Sequence, residues 1–192
     1  MLRVMLLPNL GKKKVSFMFH RLFATRAEKQ NAHAIYKALV SQARSAAFYE
    51  RMDVDDTIEG RFDMILLHLY LVDARLALEG EKYVRLRRYV QEVMISDLDR
   101  SFRELGVGDM SVGKEMKKVG AAWMGRKSGY AEAMANPKNE QILEAALIKN
   151  IYRGEKKEGL PDLASYILSS SALLADAELT GPADCEMPFL NL

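Results

Sequence analysis

Apolar residues in this chain recur three and four positions apart over long stretches, and this spacing limits the fold more than any other feature. Such spacing gathers apolar side chains on one face of an α-helix, whereas a half-buried strand would show strict alternation. The clearest stripe consists of Ile58, Phe62, Ile65, Leu66, Leu69, Val72 and Leu76. The sequence therefore predicts an all-α fold in which this segment is the central core helix.

Capping residues and helix breakers divide the chain into about six predicted helices. Thr25 and Glu28 have the spacing of a capping box, so the first helix is predicted from Thr25 to about Tyr49. Asp56 or Thr57 caps a second helix that ends near Leu78. The others are predicted from Tyr83 to Leu105 before Gly106, from Ser111 onward, from Glu140 to Tyr152 after an Asn136-Pro137 cap, and from Pro161 to about Leu174.

The length of 192 residues suits one domain, because two domains of this total size would each have a small core. An apolar fraction of 49% and a charged fraction of 28% exclude disorder over most of the chain. We expect a basic and aromatic segment at 1–24, a helical domain at 25–177, and an acidic, partly disordered tail at 178–192.

Cysteine content and hydropathy indicate the compartment. Cys185 is the single cysteine, so no disulfide can form within the chain. The longest strongly apolar stretch, Met64 to Val72, is far shorter than the roughly 20 residues of a spanning helix. Pro8 and three lysines follow the short apolar start, which is the reverse of the charge order in an export signal. We expect a cytoplasmic protein.

Charge is distributed unevenly along the chain. Residues 1–29 have a net charge of +6 and residues 155–192 a net charge of −5, although the whole chain has only +2. Cations and large apolar groups alternate near the start, a combination that suits an anionic membrane surface on the cytoplasmic face of the inner membrane. The candidate membrane-contacting residues are Lys12, Lys13, Lys14, Phe17, Phe19, Arg21 and Phe23. Translation from Met18 is the competing interpretation, since it would remove most of them.

A catalytic centre is not expected. Asp55, Asp56 and Glu59 match a DDxxE pattern of the kind that binds diphosphates through magnesium, but the macrodipole favours acidic residues at a helix start for simpler reasons. The three histidines lack the Glu-x-x-His spacing of a carboxylate-bridged metal centre, and no hydrolytic triad is evident. We therefore predict a protein that is not an enzyme and has no cofactor or metal.

Charged residues lie next to glycines in the second to fourth predicted helices. Most charges on amphipathic helices only face solvent, but a set that converges on one groove would form the polar rim of an apolar peptide-binding cleft. The candidate partner-binding residues are Arg61, Phe62, Asp63, His68, Arg75, Asp99, Arg103, Asp109, Lys114, Arg126 and Tyr130. The alternative for Arg61 and Asp63 is structural, namely a link between the second helix and the 106–110 loop.

Two multi-residue blocks carry a resemblance to a known family. The first contains Phe48-Tyr49, Asp56-Thr57, the run from Gly60 to His68, and Leu71-Val72 with Arg75-Leu76. The second contains Asp97 and Asp99, the run from Arg103 to Met110, Val112, Lys114, Gly125-Arg126 and Tyr130. In these blocks the chain resembles the ubiquinol-cytochrome c chaperone family over about residues 36–175.

The resemblance implies an assembly chaperone of the cytochrome bc1 complex that acts on newly made cytochrome b or another bc1 subunit. It also implies that a small partner protein or the ribosome could take part, whereas DNA is not an expected partner. Two alternatives stay open at this point. One is a magnesium-dependent enzyme on prenyl diphosphates, and the other is a ribosome or RNA adaptor that uses the basic N-terminal segment.

Overall fold

The computed structural model describes residues 10–135 and 140–192, with side chains from Thr25 onward except that of Met110. The helices are α1 Leu10–Ala43, α2 Ala46–Glu50, α3 Ile58–Leu78, α4 Val84–Glu104, α5 Asp109–Ala135, α6 Glu140–Asn150 and α7 Leu160–Asp176. A 3-10 turn, Gly80–Tyr83, joins α3 to α4. The described residues contain no strand beyond one isolated bridge between Gly181 and Asp184, so the all-α prediction is confirmed.

Helix α3 is the core helix, as its apolar stripe predicts. It contacts α1, α4, α5 and α7, and most of its side chains are buried. Thr57 caps it, since the Thr57 hydroxyl accepts a hydrogen bond from the Gly60 amide at 3.0 Å. Gly106 ends the following helix with a φ of +81°, the left-handed conformation that glycine adopts without a steric penalty.

The predicted bounds of the first helix are wrong at both ends. Helix α1 begins at Leu10, so Thr25 lies inside the helix and does not mark its start. Glu28 does not complete a capping box but forms an ion pair with Arg85 at 2.5 Å. The chain then breaks at Ser45, whose ψ of 131° is extended, before the separate helix α2. A capping pattern predicts a helix start only where the preceding residues cannot themselves continue a helix.

The other helices match their predicted positions more closely. Helix α5 begins at Asp109, two residues before the predicted cap Ser111, and α6 ends at Asn150 rather than Tyr152. The predicted cap Asn136-Pro137 lies outside the described residues. None of the described helices is both long enough and apolar enough to cross a membrane.

Residues 178–192, for which the sequence predicts a partly disordered tail, follow the surface of α1. Asn31 donates to the Pro182 carbonyl at 3.2 Å, and Gln42 donates to the Leu190 carbonyl at 2.8 Å. The side chains of Cys185 and Met187 are buried between these two points. The segment thus adds apolar surface to the core next to α1.

Candidate functional site

A cleft with a volume of about 710 Å³ lies between α3, α5 and α6. Four of its lining residues are apolar: Phe62, Ala122, Ala145 and Ile148. The polar lining residues are Glu59, Asp63, Arg126, Lys149, Asn150 and Arg153. A cleft that combines apolar lining residues with charged ones, here termed its charged rim, is suited to bind a segment of another protein, and the volume lies within the usual range for ligand sites.

Asp63 organises the charged rim. Its side chain is almost fully buried, and its Oδ1 accepts a hydrogen bond from Arg126 at 2.5 Å. The guanidinium of Arg153 lies farther away, 3.5 Å from Oδ2. Burial raises the pKa of Asp63, and the two neighbouring arginines only partly oppose this rise. These contacts tie α3 to α5 and to the segment that follows α6.

Two polar atoms of α5 have no hydrogen-bond partner among the described residues. They are the Nε of Arg126 and the hydroxyl of Tyr130, and both are buried. Tyr130 lies one helical turn beyond Arg126, and its ring packs at a tilt against Tyr70 with the centroids 5.4 Å apart. Burial raises the pKa of Tyr130, so its hydroxyl stays protonated at neutral pH. Tyr130 therefore supports α5 beside the cleft and does not line it.

The turn after α6 places Arg153 at the cleft. Arg153 has a φ of +56° and Gly154 a φ of +94°, so both adopt the left-handed conformation. The amide of Gly154 donates to the carbonyl of Ile148 at 2.8 Å and closes the helix end. A left-handed conformation is uncommon for a residue other than glycine. Here it leaves the Arg153 side chain half exposed beside the rim.

His68 is a core residue and has no part in the cleft. It is fully buried, with Nδ1 2.8 Å from the Met64 carbonyl and Nε2 2.7 Å from the Tyr166 hydroxyl. Burial lowers the pKa of His68 to about 4, which keeps the ring neutral at physiological pH. From the sequence, His68 is a candidate partner-binding residue, and the structure places it in the core.

Arg75 also lies away from the cleft. Its guanidinium donates to the Ala177 carbonyl at 2.8 Å and pairs with Glu79 at 2.8 Å. Because Ala177 begins the C-terminal segment, Arg75 anchors that segment to α3. The described contacts of Arg75 therefore hold the C-terminal segment against α3.

The predicted link between the second helix and the 106–110 loop is wrong. Arg61 pairs with Asp56 at 2.6 Å on the exposed start of α3, and Asp63 pairs with Arg126. The loop is instead held by Arg103, which contacts Asp109 and also pairs with Asp99 at 2.8 Å. Arg103, Asp99 and Asp109 form these contacts on the exposed surface, and Lys114 is exposed as well. None of these four residues lines the cleft. Of the candidate partner-binding residues, the cleft brings together Phe62, Asp63 and Arg126.

The aspartates of the DDxxE pattern are held by cations of this chain. Asp55 contacts Lys157, and Asp56 pairs with Arg61, whose hydrogen bond lowers the pKa of Asp56. In the described part of the chain, no three His, Cys, Asp or Glu residues lie together as a metal-binding group. The two aspartates thus pair with cations of this chain at the start of α3, and Thr57 is the residue that caps the helix.

The sequence patterns did not predict that α6 and the turn after it line the cleft. Ala145, Ile148, Lys149, Asn150 and Arg153 line one side of the cleft. The sequence pattern predicted a helix here, but nothing in it showed which helix α6 would face. The candidate membrane-contacting residues from Lys12 to Phe23 belong to α1, and their side chains lie outside the described part of the structure.

Comparison with known proteins identifies the family. The family model for the ubiquinol-cytochrome C chaperone matches residues 50–180. Ubiquinol-cytochrome-c reductase complex assembly factor 1 of Xenopus laevis is 23% identical over 117 residues, a match of 61% of this chain and 58% of the frog protein. The chain thus spans somewhat over half the length of that relative.

A solved structure supports the same relationship over a larger part of the chain. The crystal structure of the Cbp3 homolog from Brucella abortus superimposes with a TM-score of 0.79 at 29% identity. The match covers 92% of this chain and 97% of the Brucella chain. The relatives are named as a chaperone and an assembly factor, and neither name denotes an enzyme. This chain, in sequence and in fold, belongs to the ubiquinol-cytochrome c chaperone family.

Proposed function

We propose that this protein is an assembly chaperone of the cytochrome bc1 complex that binds newly made cytochrome b through the cleft between α3, α5 and α6. The observation that carries the proposal is the cleft itself, with its apolar lining residues and its charged rim. The name of the frog relative, a reductase complex assembly factor, supports the choice of complex. No bond chemistry is needed for this function.

The chemistry of the cleft suits a membrane protein that has not yet assembled. Its transmembrane segments expose apolar side chains that water solvates poorly, and burial stabilises them by about 25 cal/mol per Å². Phe62 of α3 and Ile148 of α6 supply apolar surface to the cleft, and the small side chains of Ala122 and Ala145 also line it. An amphipathic or apolar helix of the client can therefore lie in the cleft with its polar edge on the rim.

The proposal is tested by filling the cleft from an exposed position. Ala145 lines the cleft and is exposed, so Ala145→Trp fills the cleft without altering the core. Ala121→Trp is the matched control, because Ala121 is equally a solvent-exposed alanine but does not line the cleft. Each variant replaces the chromosomal gene, and ubiquinol-cytochrome c reductase activity and assembled bc1 complex are measured in membranes.

We expect Ala145→Trp to reduce assembled complex severely and Ala121→Trp to leave it unchanged, at equal cellular amounts of both variants. Normal assembly with the Ala145→Trp variant would refute the cleft as the binding site. Normal assembly in a strain that lacks the gene would refute the function as a whole.

The proposed location is the cytoplasmic face of the inner membrane, with the N-terminal part of α1 as the contact. Residues 1–29 have a net charge of +6, and the sequence adds Phe17, Phe19 and Phe23 within this segment. Helix α1 is continuous from Leu10 to Ala43, so a single helix connects a membrane contact near its start to the core of the domain. Such a segment is attracted to anionic lipid headgroups.

Flotation with anionic vesicles compares the full chain with a variant that lacks residues 1–23. We expect the full chain to float and the shortened chain to stay with the soluble fraction. Equal partitioning of the full and shortened chains would exclude the membrane contact. Salt-sensitive binding of the N-terminal segment to ribosomal RNA, in place of lipid, would favour a ribosomal contact.

A further inference from the structure

The charges of the cleft do not cancel within the chain. Three cations line it, Arg126, Lys149 and Arg153, against the two carboxylates of Glu59 and Asp63. Asp63 is already engaged by Arg126 at 2.5 Å. Arg153 approaches the same carboxylate only to 3.5 Å, and Lys149 and Glu59 complete the charged set. Three cations against two carboxylates leave the cleft with an excess of one positive charge.

Arg153 is the cation best placed for a ligand. It lies 3.5 Å from Asp63, at the long end of an ion-pair distance, and its side chain is half exposed. Asp63 has only 2% of its surface exposed and sits against Arg126, so it cannot follow Arg153 outward. A guanidinium carries five N–H donors in a planar fork that matches a carboxylate. Most of the donors of Arg153 are therefore available to a carboxylate that enters the cleft.

The backbone of the turn after α6 holds Arg153 at the same cleft that Ile148 lines. The left-handed φ of +56° at Arg153 follows directly on the closed end of α6, where Gly154 bonds back to Ile148. Ile148 and Lys149 lie on the last turn of the same helix. One short stretch of chain thus presents an apolar contact and two cations to the same ligand.

We infer that the client segment which this cleft takes is an apolar helix that carries one acidic side chain, and that Arg153, assisted by Lys149, binds its carboxylate. The inference rests on the proposed function and adds the chemistry of the partner. The apolar side chains beside the acidic residue contact Phe62 and Ile148. Charge-assisted hydrogen bonds in a partly desolvated cleft are stronger than neutral ones, so the acidic residue fixes the register of the bound helix.

The experiment uses three labelled helical peptides of about 20 apolar residues that differ only in one central residue, Glu, Gln or Lys. Their affinities for the full chain in detergent are measured by fluorescence anisotropy. We expect the Glu peptide to bind about 10-fold more tightly than the Gln peptide, as expected for a hydrogen bond to a charged group. The Lys peptide is expected to bind most weakly.

Variants then assign the preference to the cleft. Arg153→Gln is expected to abolish the preference for Glu over Gln, and Arg153→Glu to reverse it in favour of the Lys peptide. Lys118→Gln is the control, since Lys118 is an exposed cation of α5 that pairs with Glu115 outside the cleft. Thermal unfolding of each variant confirms that it is folded, and the reversal by Arg153→Glu cannot arise from misfolding.

The outcomes separate this inference from the proposed function. Equal binding of the Glu and Gln peptides to the unaltered protein would overturn the inference and leave the cleft as a binding site for apolar helices. A preference for Glu that survives in Arg153→Gln and in Lys149→Gln would also overturn it. Failure of all three peptides to bind would contradict the proposed function together with the inference.

Discussion

Asp73 joins two of the helices that form the cleft, α3 and α5, and links both to α4. It lies on α3 with its side chain 3% exposed, and Arg87 of α4 donates to both of its oxygens at 3.0 and 2.9 Å. Gln91 donates at 3.1 Å, and Lys127 of α5 approaches to 2.7 Å. Asp73 is therefore the point at which α3, α4 and α5 are joined by charge.

The substitution Asp73→Ala would leave Arg87 and Lys127 without their partner. Breaking a fully buried ion pair costs about 3 to 5 kcal/mol. Because Arg87 is 25% exposed and Lys127 33% exposed, water would solvate them in part, and we expect a loss near the lower end, about 3 kcal/mol. Urea denaturation at pH 7 measures this loss directly.

The loss of stability caused by Asp73→Ala should also depend on pH. Burial opposes ionisation of Asp73, but hydrogen bonds from Arg87 and Lys127 outweigh it and hold its pKa below the ordinary value. A carboxyl group with a lowered pKa in the folded state stabilises the protein above its unfolded pKa, which is about 3.9. The stability difference between the native protein and Asp73→Ala should thus be full at pH 7 and shrink as the pH falls below about 4.

Asp56→Ala provides the control, because Asp56 and Arg61 form an ion pair in which both side chains are more than half exposed. We expect no measurable change in stability for this variant. A loss for Asp73→Ala that is no larger than that of Asp56→Ala, or one that does not change with pH, would refute the reasoning.

Three further predictions concern other parts of the fold. A Cβ at Gly159 would come within 2.3 Å of the Met52 backbone, so Gly159→Ala should destabilise the protein clearly in thermal unfolding, whereas Gly181→Ala should not. His68 has a pKa lowered to about 4, so it should remain neutral by NMR down to about pH 5, and its contribution to stability should be lost as the pH falls from 6.5 toward 4. Cys185 is buried and burial raises the pKa of its thiol, so it should react slowly with iodoacetamide in the folded chain and no faster in folded Asn31→Ala, because the hydrogen bond that Asn31 donates lowers that pKa.

Much of the fold follows from local patterns in the sequence. The stripe from Ile58 to Leu76 predicts α3 as the core helix, and Thr57 and Gly106 mark helix ends through conformations that depend only on their neighbours. The start of α1 could not be predicted in this way. The capping pattern at Thr25 has the right residues, but the preceding residues continue the helix to Leu10.

The cleft could be predicted only in part. Phe62, Asp63 and Arg126 belong to the blocks that resemble the family, whereas Ile148 and Arg153 come from a segment whose pattern indicates a helix and nothing more. These residues converge because α6 packs on α5, and such a contact depends on the whole packing arrangement. Local periodicity identifies the buried face of a helix but not the helix that covers it.

The most direct test of the account is to crosslink the cleft to its client during synthesis. A photoreactive amino acid at Ala145 should form a crosslink to newly made cytochrome b, whereas the same group at Leu105, which is exposed outside the cleft, should not. We expect the crosslink at Ala145 to appear with synthesis of cytochrome b and to disappear as the bc1 complex assembles. Equal crosslinking at both positions, or none at Ala145 in cells that assemble the complex normally, would contradict it.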